Sequence, residues 1–205
     1  MNRNTLKTLS LVVGILLVSL AAFTLINNVI LFVDLTKIDW GSNSKYVAYI
    51  IITTIISVID LVLEAIVGYL IIKSYMYKSN EDKYMEYPVL LYFVFGLIKL
   101  IIYMFFFGVN SGSFWVDFIF TVAGFVLLVI NRFSTLEKKI KNILVLVAIG
   151  LAFTLVFNDL INSVGFSIAI NLVAVALYVI IFLYFLFKML LNNNINEEEP
   201  ENPIQ

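Results

Sequence analysis

The sequence predicts an all-α, polytopic integral membrane protein: a six-transmembrane-helix bundle with both termini in the cytoplasm. Three observations predict it. Of 205 residues, 62 % are hydrophobic and 13 % charged, about half the charged share of an ordinary soluble domain. The apolar residues gather into six runs, at about 8–33, 46–72, 88–109, 114–130, 143–157 and 165–187. Most of these meet the roughly 20 residues that a helix needs to cross a bilayer. The basic residues cluster on alternate connections, as in a chain threaded back and forth with its cations held inside. Short segments of alternating polarity, which would mark a transmembrane barrel, do not occur.

Residues 1–191 read as one transmembrane domain and 192–205 as a disordered acidic cytoplasmic tail. The tail holds Glu197, Glu198, Glu199, Glu201, Pro200 and Pro203, with too few apolar groups to offset the entropy of ordering. The first run follows Arg3 and Lys7, and Ser19-Leu20-Ala21 resembles a signal-peptidase site. Its apolar stretch continues to Val33, well past the roughly 7–15 residues of a signal-peptide core, so the span is expected to be retained. The fifth run is short and must extend into Asn142 and Asn158 or thin the bilayer around it.

Orientation follows from the cations. Lys73, Lys78 and Lys83 follow the second run, Arg132, Lys138, Lys139 and Lys141 the fourth, and Lys188 the sixth. The opposite side holds only Lys37 and Lys45, and connections 110–113 and 158–164 have no Lys or Arg. Both termini are therefore placed inside, and an even number of spans requires them to share a side. Trp40 and Trp115 border outer connections, where indoles suit the headgroup layer. The first inner connection, 73–87, carries Tyr75, Tyr77, Tyr84 and Tyr87 and reads as a connector lying on the membrane. In the second, Arg132, Lys138, Lys139 and Lys141 face the anionic inner leaflet, making the lipid bilayer a partner worth about 1 kcal/mol per cation. Lys outnumbers Arg, with Ile and Asn abundant, as in AT-rich bacterial coding, so the cell membrane of a bacterium is the expected location.

The chain has no cysteine and no histidine. That removes disulfides, thiol nucleophiles, imidazole acid–base chemistry and the usual zinc sites. No Walker motif or Gly-rich phosphate loop occurs, and no basic domain suits nucleic acid. The expectation is a non-enzymatic protein with no catalytic residue, no cofactor and no metal. An internal echo, AFTL at 22–25 and 152–155 with Asn28 and Asn158 at equal offset, is as readily coincidence in so apolar a chain.

The runs carry polar rows at spacings of three and four, each therefore on one helix face. They are Thr53, Ser57, Asp60, Glu64 and Gly68; Tyr92, Gly96, Lys99 and Tyr103; Asp117, Thr121 and Gly124; Gly150, Thr154 and Asn158; and Ser163, Ser167, Asn171, Ala174 and Tyr178. These rows turn toward one another, and the aliphatic faces toward lipid. Small and hydroxylated residues in such rows usually serve helix packing, and Asn171 reads as a helix–helix clasp.

Asp60, Glu64 and Lys99 are different, because each unpaired charge at a helix centre costs roughly 2.5–3.5 kcal/mol. Asp60 and Lys99 sit near the midpoints of successive antiparallel runs, so an Asp60–Lys99 ion pair is expected. Glu64 lies one turn, about 6 Å, toward the cytoplasm. The trio is either a structural lock or a proton or cation relay, with Thr53, Ser57 and Tyr103 along its path.

Two functions follow. The first is a bacterial accessory protein acting through helix contacts with a membrane-protein partner, such as toxin immunity or a small subunit of a secretion or transport machine. The second is a small proton- or cation-coupled transporter or channel using the Asp60, Glu64 and Lys99 cluster. Subtraction favours the first: no soluble domain, no catalytic set, and no proline inside a run, Pro88 standing at the start of the third. Oligomeric state is not legible.

Overall fold

The computed structural model describes residues 3–35, 44–77, 81–108, 112–163 and 165–197. They form six helices: α1 (Arg3–Leu35), α2 (Ser44–Met76), α3 (Glu81–Phe107), α4 (Gly112–Phe133), α5 (Lys138–Asn162) and α6 (Phe166–Glu197). Each contains a stretch long and apolar enough to cross a membrane. Their outward faces are aliphatic, with Val12, Ile55, Ile119, Val147 and Leu172 all exposed. Such a continuous apolar surface is foreign to a soluble monomer.

Short connections make successive helices antiparallel. Each helix packs on its neighbours in the chain, α6 closes back onto α1, and α3 also touches α5. The result is a ring in sequence order. Its near end holds the start of α1 and the end of α6; its far end holds the ends of α1, α3 and α5 and the starts of α2, α4 and α6.

Helix boundaries differ from the sequence reading in three places. α3 starts at Glu81, so Pro88 lies inside the helix and only 77–80 remain to connect α2 to α3. Proline lacks the N–H of a helix interior, yet Pro88 is fully buried in the near half and its carbonyl accepts from Tyr178 Oη at 3.4 Å. α5 is no short span: it runs 25 residues, Lys138–Asn162, because its polar ends keep helical backbone beyond the apolar run. α6 continues to Glu197, past the position where the tail was expected to begin, since no breaker precedes Pro200. Residues 198–205 lie outside the described residues, as do Lys37 and Trp40. Gly108 (φ +76°) ends α3 in the left-handed conformation that glycine adopts freely, and Gly165 (φ +63°) takes the same conformation immediately before α6.

The near half is solid. Ile71, Met85, Val89, Phe93, Ile149, Leu177 and Ile181 are almost wholly buried in one cluster. Two glycine contacts make this packing close. α1 and α2 meet at Gly14 and Gly68, where a Cβ on Gly68 would stand 2.8 Å from the Gly14 carbonyl oxygen. Gly124 of α4 receives the Phe93 ring in space that any Cβ would fill. Polar clasps rim this end. Lys188 Nζ pairs with Asp82 Oδ2 at 2.6 Å, Tyr184 Oη donates to Asp82 Oδ1 at 2.8 Å, and Asn131 Nδ2 donates to Glu86 Oε1 at 3.1 Å.

Candidate functional site

The far half of the ring is hollow. A cavity of about 1170 Å³ occupies it, lined by residues of all six helices and reaching the far end at Gly108, Phe114 and Ser163. At its inner limit stand Tyr92 and Tyr178, whose rings meet edge-on with centroids 5.6 Å apart. Below them begins the packed near half.

Which side chains enter the cavity depends on where each helix turns its polar row. The α3 row enters whole: Tyr92, Gly96, Lys99 and Tyr103. From α2 come Ser57, Asp60 and Glu64. Thr53 stays out, its hydroxyl donating to the carbonyls of Tyr49 and Ile50 on its own helix, and Gly68 faces α1 instead. Asp117 and Thr121 enter from α4 while Gly124 packs against Phe93. Ser167, Asn171, Ala174 and Tyr178 enter from α6, with Ser163 just before it.

The α5 row is a correction. None of Gly150, Thr154 and Asn158 lines the cavity; Thr154 is exposed, and its hydroxyl donates to the Gly150 carbonyl. The inward face of α5 is instead apolar, Val145, Ala148, Ile149, Ala152, Leu155 and Val156, and it continues into Asp159 and Asn162. Packing against α4 and α6 set the rotation of α5, and the small residues there follow solvent or lipid. The AFTL echo divides in the same way, Asn28 lining the cavity and Asn158 not.

The charged groups gather around the inner part of the cavity. Lys99 Nζ lies 2.8 Å from Asp60 Oδ1, with the two side chains 21 % and 37 % exposed. Glu64, one turn on, also lines the cavity; its Oε2 is buried and finds no hydrogen-bond partner among the described residues. Asp159 is the member that sequence reasoning missed. It accepts from Tyr92 Oη at 3.3 Å through Oδ2, and its backbone carbonyl accepts from Asn171 Nδ2 at 3.4 Å. Asn171 is thus a clasp between α5 and α6 and a wall residue at once. Lys99 is within electrostatic range of Asp60, Glu64, Asp117 and Asp159.

Charge count decides what this chamber favours. Its described lining contains four carboxylates, on Asp60, Glu64, Asp117 and Asp159, against one ammonium, on Lys99. Around them stand the amides of Asn27, Asn28, Asn162 and Asn171. Where these carboxyls are ionised, a low-dielectric wall strengthens their field, and such a field attracts positive charge. Among the described residues, no three Asp or Glu side chains converge closely enough to hold a metal ion.

No protein-family model, no curated protein and no solved structure matches the chain.

Proposed function

We propose that this chain is a multi-pass protein of a bacterial cell membrane, with both termini cytoplasmic, and that it moves cations through its interior. It is a small proton- or cation-coupled transporter or channel, not an enzyme. The single observation that carries this reading is the hollow, acidic far half: a cavity lined by four carboxylates and one ammonium. Ionisable groups inside a membrane bundle commonly mark a transport path. The near end of the ring carries Lys7, Lys73, Arg132, Lys138, Lys139, Lys141 and Lys188, which supports placing it at the cytoplasm. The cavity then faces outward, and the packed near half is its closed inner side.

In this reading a cation enters from outside, meets Glu64, Asp117 and Asp159, and competes with Lys99 for Asp60. Release inward requires the near half to part, which breaks the Asp82–Lys188 and Glu86–Asn131 contacts. Alternation between such states is the ordinary logic of a transporter. An accessory role through outer helix faces has no use for a charged hollow, and the lining favours transport over it. The test is flux in proteoliposomes of the full chain under an imposed gradient or potential. Wild-type protein moves cations, and Glu64→Gln abolishes the flux with the amount of inserted protein unchanged. Absence of any cation flux in the wild type rejects the proposal.

A further inference from the structure

Resting on that cation reading, we infer that the chamber's substrate is a linear organic polyamine, a flexible chain bearing two or more ammonium groups, and not a metal ion. Four observations point there.

The first is size. A cavity of about 1170 Å³ matches or exceeds the roughly 300–1,000 Å³ of pockets that take organic ligands, and vastly exceeds what a bare ion fills. The second is the spread of charge. The carboxylates come from three helices, Asp60 and Glu64 from α2, Asp117 from α4 and Asp159 from α5. Among the described residues they form no set of three able to ligate one ion. Negative charge distributed over separate walls complements positive charge distributed along a chain. A compact divalent ion demands oxygens converging at about 2.0–2.6 Å.

The third observation is that the protein already seats an ammonium here. Lys99 brings a primary ammonium on a flexible methylene stem to 2.8 Å from Asp60, the same chemistry in tethered form. With Lys99 Nζ held against Asp60, Glu64, Asp117 and Asp159 share only the longer-range field of that one lysine. The fourth is Glu64 itself. Its Oε2 is buried beside the cavity with no hydrogen-bond partner among the described residues, and a buried carboxylate oxygen calls for a donor. An ammonium supplies up to three N–H donors. Tyr92, Tyr103 and Tyr178 add aromatic surface for the methylenes and ring faces for the charge, and Asn27, Asn28, Asn162 and Asn171 offer carbonyl oxygens to the remaining N–H groups.

The experiment is a binding titration of the purified full-length chain at constant ionic strength, using a linear triamine, a diamine of equal spacing, a monoamine, and sodium, potassium and magnesium chlorides as probes. The triamine binds most tightly, the diamine next, and the monoamine and metal ions at least about a hundredfold more weakly, one lost charge-assisted contact being worth about tenfold. Glu64→Gln and Asp159→Asn each weaken the triamine about tenfold. Asp117→Asn, at a partly exposed position on another helix, does the same and guards against misfolding of either. Lys99→Gln, by vacating Asp60, tightens it. A monoamine or metal ion that binds as well as the triamine overturns the inference, as does wild-type affinity in all three carboxamide variants. Flux of inorganic cations or protons in proteoliposomes with no amine binding sinks the polyamine assignment while the cation reading stands. Absence of both flux and binding sinks the two together.

Discussion

At the level of Phe93 and Ile181 the ring of helices is packed with almost wholly buried apolar side chains; less than two turns farther along α3, at Lys99, the same ring is hollow. Both halves are built from the same six helices, so the difference lies in side chains. Toward the near end, the inward positions are Ile71, Val89, Phe93, Leu128 and Ile149, and glycines at 14, 68 and 124 let backbones and rings approach. Toward the far end, the inward positions are Asp60, Lys99, Asp117, Asp159 and asparagines. Apolar groups lose nothing by meeting one another. Like charges repel and carboxylates retain water, so an interior lined by them stays open. The contrast teaches that close apolar packing is concentrated in one half of the ring and ionisable groups in the other.

Mutations that cross this division break or sharpen the comparison. The largest effect belongs to the near half. Gly68→Leu or Gly124→Leu drives atoms into a backbone carbonyl or the Phe93 ring, and overpacking of this kind costs about 3 kcal/mol or more where backbone cannot yield. Both should abolish accumulation of folded protein, read by membrane level and by monodispersity in detergent. Gly150→Leu is the control, since a Cβ at Gly150 meets nothing within 4 Å.

Next comes the ion pair. Lys99→Ala leaves the Asp60 carboxylate without its ammonium, and because the pair is partly exposed the loss falls below the roughly 3–5 kcal/mol of a fully buried pair. Protein level drops for Lys99→Ala and for Asp60→Asn, and the reciprocal exchange, Asp60→Lys with Lys99→Asp, restores it. Full accumulation of both single variants would show that the pair does nothing for folding.

The near-end clasp ranks third. Asp82→Ala removes the Lys188 and Tyr184 contacts together, and Tyr184→Phe only the second, about 1 kcal/mol for a single hydrogen bond. If the near half is the inner gate, both changes raise the flux rate or leak while thermal stability falls only slightly. Smallest in stability is Asp159→Asn, expected within about 0.5 kcal/mol of wild type or above it, since a site built for function holds strain that its loss relieves. It nonetheless weakens cation binding about tenfold. An Asp159→Asn protein that unfolds, or that binds cations as tightly as wild type, would erase the division between the halves.

Much of the architecture was legible beforehand because the bilayer is an undemanding reader: length and hydropathy suffice to find six helices. Asp60, Glu64 and Lys99 stood out because charges in such runs are rare and costly, and Tyr103, Ser57 and Asn171 because they share helix faces with neighbours of like polarity. Asp159 was not legible. It lies beyond the apolar run of α5, where polarity reads as a connection, and only the extension of that helix to Asn162 carries it into the wall. Thr53 erred the other way: spacing put it on the polar face, but its hydroxyl turns back to its own helix.

By itself, then, the sequence determined that six apolar helices form, which residues could not comfortably face lipid, and which end of the chain's topology is basic. These follow from local composition and the fixed 3.6-residue period. The tertiary structure alone decided how far α5 is rotated, that α6 closes the ring onto α1, and that four carboxylates from three helices share one chamber with a single lysine. Those outcomes depend on contacts between residues distant in the chain, such as Gly14 with Gly68 and Phe93 with Gly124, where the fit of one surface to another sets each helix's rotation and no periodicity along a single helix records it.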